Sequence, residues 1–307
     1  MKRTACKTAA VVVTYNRKQL LKACLDALLE QSRSPDRIYI IDNASTDGTS
    51  DFLKADGYLE NSRIIYLRQL QNTGGAGGFH AGMQQALTDN MDWLWLMDDD
   101  ACPRKNALES LLQCHPEKEN VYASVAINTA LGRDELCWPA ARPGTENAFV
   151  LEEIQLLQNV INIPFLGFFI HSDLVRAIGL PEKDYFILGD DTEYAERARA
   201  HGSKLLLVKR SIVDHPMPNR HIFSFMGRRF YNLTLPPWKK YYDVRNRILI
   251  GRKYYGIRLW TQTIPGQIIR MGDSLLHEPD RFNMLWAYLR GILDGFLGRQ
   301  GKRVIPG

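Results

Sequence analysis

The chain has 307 residues, of which 45% are hydrophobic and 24% are charged, and its formal net charge is +5. This length and composition allow one large core with a smaller appendage, and so mild a charge does not indicate a nucleic-acid binder. Five cysteines without any C-x-x-C spacing predict free thiols in a reducing cytosol. No apolar run has the length of a signal peptide or a membrane span, so we expect a cytoplasmic protein.

Short apolar runs alternate with amphipathic helical patterns along the first 215 residues. This alternation predicts an α/β fold with an open, doubly wound, mostly parallel sheet and helices on both faces. We predict strands at residues 9–13, 37–41, 64–67, 93–97, 121–127, 163–170 and 204–208. Residues 130–151 have no clear period, and we expect an acceptor-contacting loop there.

Polar residues follow the first four predicted strands at the point where each strand ends. These residues are the segment 14–17, the pair Asp42 and Asn43, the glycine-rich run 72–78, and the acidic run 98–100. Ligands of open parallel sheets bind at the carboxyl ends of the strands. The sequence therefore predicts a nucleotide-type site at this edge.

The acidic run ends the most apolar of these strands. Asp98 and Asp100 are two residues apart, so in an extended chain their carboxylates point the same way. Converging carboxylates repel each other unless a cation lies between them, and oxygen ligands favour Mg²⁺ or Mn²⁺. The alternative is an acidic, solvated loop.

The run Asn72-Thr-Gly-Gly-Ala-Gly-Gly78 matches neither G-x-G-x-x-G nor the P-loop. Its four glycines allow close backbone approach to a ligand, and the helix that follows favours a diphosphate or sugar hydroxyls at its N-terminus. A tight turn into a helix is the alternative.

A second acidic group, Asp190, Asp191 and Glu193, begins another predicted helix. Helix capping alone would explain one aspartate, whereas a carboxylate held there can serve as a general base toward a hydroxyl. His215 follows the next strand, where it is either a structural hydrogen-bond donor or a third metal ligand.

From residue 217 the chain becomes rich in interleaved basic and aromatic residues. Helical patterns over 241–252 and 282–296 predict a mainly helical C-terminal region at 217–307. Its aromatic and basic residues suit an anionic membrane surface, so we expect peripheral contact with the inner face of the cytoplasmic membrane. The alternatives are helices that pack on the first domain or that pair subunits in an oligomer.

Five stretches together resemble the inverting family 2 glycosyltransferases of the GT-A fold. They are Val11–Arg17, Ile41–Gly48, Asn72–Phe79, Met97–Asp100 and Gly189–Glu193. With the later run Trp238–Asn246, they look most like bacterial galactofuranosyltransferases, with rhamnosyltransferases close behind. The resemblance implies a GT-A catalytic domain at 1–216, with a nucleotide-sugar half at about 1–103 and an acceptor half at about 104–216.

The resemblance also implies roles for single residues. Asp98, Asp100 and His215 would bind Mn²⁺ or Mg²⁺, and Asp191 would be the catalytic base. The register of the three aspartates stays open, because Asp99 could replace either metal ligand or contact ribose. Residues implied at the nucleotide-sugar donor are Thr14, Tyr15, Arg17, Asp42, Asn43, Asn72, Gly74, Gly75, Gly77, Gly78 and Asp99. Residues implied at the acceptor are Asp190, Glu193 and Trp138.

The expected reaction is metal-dependent, inverting transfer of galactofuranose from UDP-galactofuranose to a hydroxyl of a cell-surface or lipid-diphosphate-linked glycan. A rhamnosyltransferase that uses dTDP-rhamnose is the alternative donor choice. A nucleotidyltransferase would need a basic, glycine-rich loop after the first strand, where this chain has Thr14-Tyr-Asn-Arg17. A non-catalytic sugar-nucleotide or glycan-binding module is a further alternative.

Overall fold

The computed structural model describes residues 6–128 and 134–305, so the predicted loop at 130–151 lies partly outside the described residues. Strands and helices alternate as predicted through the first part of the chain. The strands are β1 (Thr8–Thr14), β2 (Arg37–Asp42), β3 (Ile64–Arg68), β4 (Trp93–Asp98), β5 (Cys102–Pro103), β6 (Val121–Asn128), β7 (Glu135–Ala140), β8 (Ala148–Val150), β9 (Leu157–Val160), β10 (Leu166–His171), β11 (Leu205–Asp214), β12 (Arg220–Phe225) and β13 (Arg228–Leu233). The helices are α1 (Lys18–Leu29), α2 (Thr49–Ala55), α3 (Gly74–Thr88), α4 (Ala107–Gln113), α5 (Ser172–Ile178), α6 (Asp190–Ala200), α7 (Pro237–Ile250), α8 (Ile264–His277) and α9 (Arg281–Phe296).

The central sheet has the strand order β3-β2-β1-β4-β10-β6-β11-β5. β1 is parallel to β2 and β4, and β6 is parallel to β11. β10 runs antiparallel to both of its neighbours, β4 and β6. Because β10 is antiparallel to both neighbours, β4 and β6 run in the same direction. The carboxyl ends of β1, β2, β4, β6 and β11 therefore face one edge of the sheet.

The sequence pattern did not reveal that β10 is reversed. Every residue of this strand is buried. A strand that is covered on both faces is apolar throughout in either direction, so hydrophobicity does not report its orientation.

Helices cover both faces of the sheet. Side chains of a strand alternate between faces. Val11 and Val13 of β1 pack with Phe79 and Met83 of α3. Ala10 and Val12 pack on the opposite face with residues of α1 and α4, including Leu21, Leu25, Leu108 and Leu111. The apolar interior therefore lies between two helical layers, and the polar residues remain at the sheet edge.

The C-terminal region contains the predicted helices and also an antiparallel hairpin, β12–β13, that its pattern did not predict. α7 packs closely on α9 because α9 carries two glycines at the contact. A Cβ at Gly291 would lie 2.8 Å from the carbonyl oxygen of Tyr241, and one at Gly295 would lie 2.7 Å from Cβ of Ile248. Two π-helical turns, Gly251–Tyr255 and Leu259–Thr263, connect α7 to α8.

The five cysteines are free thiols, as predicted. Across residues 6–128 and 134–305, no helix has both the length and the apolar character to cross a bilayer.

Candidate active site

The loops after β1 and β4 are joined by polar contacts. Thr14 Oγ1 donates to Asp99 Oδ2 at 2.7 Å, and Arg17 Nη1 lies 3.2 Å from Asp99 Oδ1 and 3.0 Å from Asp100 Oδ2. Asp99 is buried, whereas the Arg17 side chain is 45% exposed. The side chain of Asp99 therefore faces the loop after β1. Asp98 and Asp100 flank Asp99 in the sequence.

Asp100 meets residues from two distant parts of the chain. His215 follows β11, and its Nε2 lies 3.2 Å from Asp100 Oδ1. The ring of Trp138, in β7, packs on the His215 ring with the centroids 5.3 Å apart. The fold thus brings together an acidic, an imidazole and an indole group that the sequence analysis had selected separately.

The acidic run is electrostatically strained. Burial, together with Asp100 and Asp99, raises the pKa of Asp98 well above its ordinary value. Burial also raises the pKa of Asp99 to about 6, although Arg17 and Thr14 oppose the rise. For Asp100, contact with His215 and Arg17 outweighs burial and holds the pKa below its ordinary value. The three neighbouring carboxyl groups therefore differ in how readily they ionise.

The chemistry of this cluster fits a divalent cation. Within the described ranges, His215 Nδ1 is buried without a hydrogen-bond partner, and Asp100 Oδ1 has no donor besides the imidazole 3.2 Å away. Buried polar atoms without partners are rare in folded proteins. Two carboxylates and an imidazole are a donor set that suits Mn²⁺, or Mg²⁺ with added water ligands.

Asp42 and Asn43 lie at the end of β2, beside this cluster. Asp42 is fully buried and accepts hydrogen bonds from the amide of Ser45 at 2.8 Å and from the hydroxyl of Tyr66 at 2.5 Å. Asn43 Nδ2 donates to the carbonyl of Gly74 at 2.9 Å, and Asn43 Oδ1 accepts from Thr73 Oγ1 at 3.0 Å. These hydrogen bonds therefore fix both side chains to neighbouring protein groups at the end of β2. Tyr15, at the same edge, is 41% exposed.

The glycine-rich run opens a helix, as predicted, and α3 begins within the run at Gly74. Asn72 Oδ1 accepts from the amide of Gly74 at 2.8 Å. A Cβ at Gly77 would lie 2.4 Å from Thr73 Oγ1, and one at Gly78 would lie 2.5 Å from Cγ1 of Val13. These two glycines therefore let the helix pack closely. The space beside Gly75 is open.

Gly74 itself allows a close contact with the segment before α6. Its φ is +74°, and a Cβ there would lie 1.9 Å from the carbonyl oxygen of Phe186. That carbonyl accepts a hydrogen bond from the amide of Ala76 at 3.2 Å. The glycine-rich run and the second acidic segment are thus in direct backbone contact.

We expect Gly74→Ala to lower the free energy of unfolding by about 2–4 kcal/mol, because the methyl group meets backbone and φ is positive. Gly75→Ala is the matched control, and we expect it to stabilise the helix by about 0.5–1 kcal/mol, since the space beside it is open. Urea unfolding of both variants measures the difference. Equal stability would contradict the role of this contact.

The second acidic segment begins α6. Asp190 is buried, and burial, with the nearby Asp191 carboxylate, raises its pKa to about 8. The Asp190 carboxyl group in turn contributes to the raised pKa of Asp98. Asp191 is partly exposed, and its Oδ1 accepts from the amide of Thr192 at 2.6 Å and from Thr192 Oγ1 at 3.2 Å. Burial raises the pKa of Asp191 as well.

Glu193 is not placed with these groups. It is buried and pairs with Arg197 at 2.5 Å, with Lys253 Nζ at 2.8 Å and with the hydroxyl of Tyr254 at 2.6 Å. Although burial opposes them, these partners hold the pKa of Glu193 below its ordinary value. Glu193 therefore joins α6 to the segment after α7, and we do not propose it as an acceptor contact.

The sequence analysis missed Lys239 as a site residue. Lys239 lies in the first turn of α7 and interacts electrostatically with Arg17, Asp98 and Asp100. Burial and the Arg17 charge lower its pKa, and the two carboxylates oppose this. The run Trp238–Asn246 was the available signal, but its basic residues had been assigned to a membrane surface.

Two further residues of α7 hold the segment before α6. Asn246 Nδ2 donates to the carbonyls of Tyr185, Ile187 and Leu188 at 3.1, 3.0 and 2.6 Å. Arg245 Nη2 donates to the carbonyl of Tyr185 at 2.8 Å, and Arg245 Nε donates to Asn246 Oδ1 at 2.9 Å. The C-terminal region thus determines the conformation of the chain just before Asp190 and Asp191.

Two solved structures superpose on this chain and show that it has the GT-A fold. GalNAc-T7 with UDP, GalNAc and Mn²⁺ superposes with a TM-score of 0.63 at 15% identity, over 94% of this chain and 55% of that chain. The mannosyltransferase PcManGT from Pyrobaculum calidifontis, in complex with GDP-Man and Mn²⁺, gives 0.59 at 14% identity, over 96% and 88%.

Comparison of the sequence with known proteins identifies the family. The model of Glycosyl transferase family 2 matches residues 9–173, and the chain belongs to this family. It is 29% identical over 251 residues to the galactofuranosyltransferase GlfT1 of Mycolicibacterium smegmatis, covering 78% of this chain and 80% of that one. It is 30% identical over 247 residues to GlfT1 of Mycobacterium tuberculosis, with the same coverage. The protein is therefore a glycosyltransferase, as the sequence analysis predicted.

Proposed function

We propose that this glycosyltransferase is a metal-dependent, inverting enzyme in which Asp191 is the general base. The observation that carries this proposal is the contact of His215 with Asp100 at the sheet edge, with Asp98 close enough to both Asp100 and Asp190 to interact with them electrostatically. A carbohydrate-binding module would need no such base beside a cation site. Membership of the family also favours transfer over simple binding and over nucleotidyl transfer.

In this mechanism Asp191 accepts the proton of an acceptor hydroxyl, whose oxygen attacks the anomeric carbon from the side opposite the nucleotide. One displacement needs one base and no covalent nucleophile, unlike the two-carboxylate retaining reaction of glycosidases. Asp98, Asp100 and His215 would hold a divalent ion, and such an ion would supply Lewis-acid charge for the departing diphosphate. Arg17 and Lys239 add fixed positive charge at the same edge.

For the donor we propose UDP-galactofuranose, because two relatives at about 30% identity are named galactofuranosyltransferases. dTDP-rhamnose is the second candidate. For the acceptor we propose a hydroxyl of a cell-surface or lipid-diphosphate-linked glycan, with Trp138 beside His215 as an apolar contact for a sugar ring.

The test is nucleotide release by the purified protein with Mn²⁺ across a panel of sugar nucleotides, with and without lipid-linked acceptors. We expect release from UDP-galactofuranose that stops when a chelator is added. Preference for dTDP-rhamnose would preserve the mechanism and replace the donor. Release that is unaffected by chelation would contradict metal dependence.

We further propose that the protein acts at the inner face of the cytoplasmic membrane. One side of α9 packs on α7, but its other side exposes an apolar stripe. The stripe residues, with 47–70% of their surface exposed, are Phe282, Trp286, Leu289, Leu293 and Leu297. Arg281 and Arg290 on the same helix are also exposed. Aromatic residues beside cationic ones bind anionic interfaces.

Replacement of Trp286 with Ser should reduce sedimentation with vesicles that contain phosphatidylglycerol by about fivefold or more, because the indole supplies much of the exposed apolar area. Leu70→Ser is the matched control, since Leu70 is a fully exposed apolar residue far from α9 in the sequence. If Trp286→Ser instead abolishes a dimer while vesicle binding is unchanged, the stripe pairs subunits and the membrane proposal is wrong.

A further inference from the structure

A second group of metal-ligating side chains lies outside the sheet edge. Asp273 and His277 are four residues apart on α8, so they share one face of the helix. His221 reaches the same point from β12. His221 Nδ1 lies 2.7 Å and His277 Nδ1 lies 3.1 Å from Asp273 Oδ1. One ligand atom from each residue lies within 4.8 Å of the others.

Hydrogen bonds among buried neighbours hold the central carboxylate, that of Asp273, in place. Asn232 is paired with His221 across the β12–β13 hairpin, and its Nδ2 donates to Asp273 Oδ2 at 2.8 Å. Asn232 Oδ1 in turn accepts from Lys240 Nζ at 2.9 Å. Asp273, Asn232 and Lys240 are all buried. One carboxylate oxygen is therefore fixed by the protein, and the other faces both imidazoles.

The two imidazoles are unusually close, with ring centroids 4.3 Å apart. Two imidazolium ions at this separation would repel each other, whereas two neutral rings and a carboxylate are a donor set for Zn²⁺. A fixed carboxylate with a hydrogen-bonded partner behind it is also typical of metal ligands in proteins. The histidine side chains are 41% and 55% exposed, which leaves a path for an ion to enter and for water to complete its coordination.

We propose that His221, Asp273 and His277 form a Zn²⁺ site that is separate from the sheet-edge cluster and that joins the hairpin to α8. With metal–ligand bonds of about 2.0–2.2 Å, tetrahedral ligand atoms stand roughly 3.3 Å apart. The present separations of 2.7 and 3.1 Å from Asp273 Oδ1 require the partly exposed rings to move outward by a few tenths of an ångström. Binding through His277 Nδ1 would also replace its 3.0 Å contact with the carbonyl oxygen of Asp273. Bound Zn²⁺ would reinforce the contact between the hairpin and α8 that Asn232 already makes with Asp273.

The test uses the full-length chain with Asp100→Asn, which weakens the sheet-edge cluster, and Zn²⁺ as the only probe. Calorimetric titration of chelator-treated, dialysed protein should give one Zn²⁺ per chain. Adding His277→Gln should weaken this binding by tenfold or more. His201→Gln is the matched control, because His201 is an exposed histidine at the C-terminal end of α6, and we expect unchanged binding.

A spectroscopic measurement identifies the ligands independently of stability. Co²⁺ in place of Zn²⁺ should give visible absorption in the Asp100→Asn protein, and His221→Gln should abolish it. No Zn²⁺ bound by the Asp100→Asn protein, or equal Zn²⁺ affinity with and without His277, would overturn the proposal and leave a hydrogen-bonded His–Asp–His group. No sugar nucleotide is present, so the result does not depend on the proposed transfer reaction.

Discussion

Asp191→Asn should lower turnover by about 10²–10⁴-fold while the affinity for the sugar nucleotide changes little. A general base contributes a factor of this size, and the amide preserves the shape of the carboxylate but cannot accept the proton. Asp191 is partly exposed at the start of α6, and its two hydrogen bonds come from Thr192 through Oδ1. Steady-state kinetics with a separate binding titration of donor measure the two effects.

The neighbouring Asp190 provides a matched control for this prediction. Its pKa is raised to about 8, so at neutral pH it is mostly protonated already, and Asp190→Asn should reduce turnover less than about tenfold. If both variants lose activity equally, Asp191 is not distinguished as the base. If Asp191→Asn loses donor binding in proportion to turnover, Asp191 binds donor and its role as base is wrong.

The pH profile gives a second check on the same residue. Burial raises the pKa of Asp191, and the base must be ionised to accept a proton. Turnover should therefore fall as the pH falls through this raised pKa, at higher pH than an exposed aspartate would require. A profile of the wild-type enzyme whose acid limb lies at the ordinary aspartate pKa would contradict a raised pKa of Asp191 in the working enzyme.

Much of this site could be predicted because its elements leave local signals. The apolar run 93–97 ending in three aspartates predicted both a buried strand and an acidic group at its carboxyl end, and β4 confirms the strand. His215 was selected because it lies shortly after the predicted strand 204–208, which in the structure continues to Asp214 as β11. Its contact with Asp100, which is 115 positions away, depends on the pairing of β11 with β6 and therefore on the whole sheet.

Other features had no local signal. The glycines at 77 and 78 pack α3 against its surroundings, but a glycine-rich run reads the same whether a ligand or a side chain fills the space. Lys239 lies near enough to interact with the acidic run only because α7 folds back toward the sheet edge, and a basic residue in an aromatic segment carries no information about that position. Long-range contacts of this kind are fixed by tertiary packing.

Asn246→Ala should lower kcat by about 100-fold. This is the largest effect that we expect from a substitution outside the acidic groups. Residues 185–189 carry two non-glycine residues with positive φ, Phe186 at 66° and Leu188 at 65°. Such conformations cost on the order of 1–3 kcal/mol each and persist only where surrounding contacts maintain them. Asn246 supplies those contacts through its three hydrogen bonds to backbone carbonyls.

Loss of these donors removes the Asn246 partner of the partly buried Ile187 and Leu188 carbonyls, while the Tyr185 carbonyl keeps its bond from Arg245, and lets the segment relax toward ordinary backbone angles. Asp190 and Asp191 follow immediately, so a shift of about 1 Å there is enough for a 100-fold loss of rate. Donor affinity should change less, because the contacts of Asp98, Asp100 and His215 do not involve this segment directly.

Ile248→Ala separates positioning from general loss of stability. Ile248 is buried on the same helix and faces Gly295 of α9, and its truncation should cost about 2–4 kcal/mol. We expect this variant to retain near-normal kcat at temperatures where it is fully folded, whereas Asn246→Ala stays impaired there. Equal kcat in the two variants after correction for the folded fraction would mean that Asn246 only stabilises the fold. A selective loss of kcat in Asn246→Ala would mean that the C-terminal region is part of the catalytic machinery, because it maintains the backbone on which the base is placed.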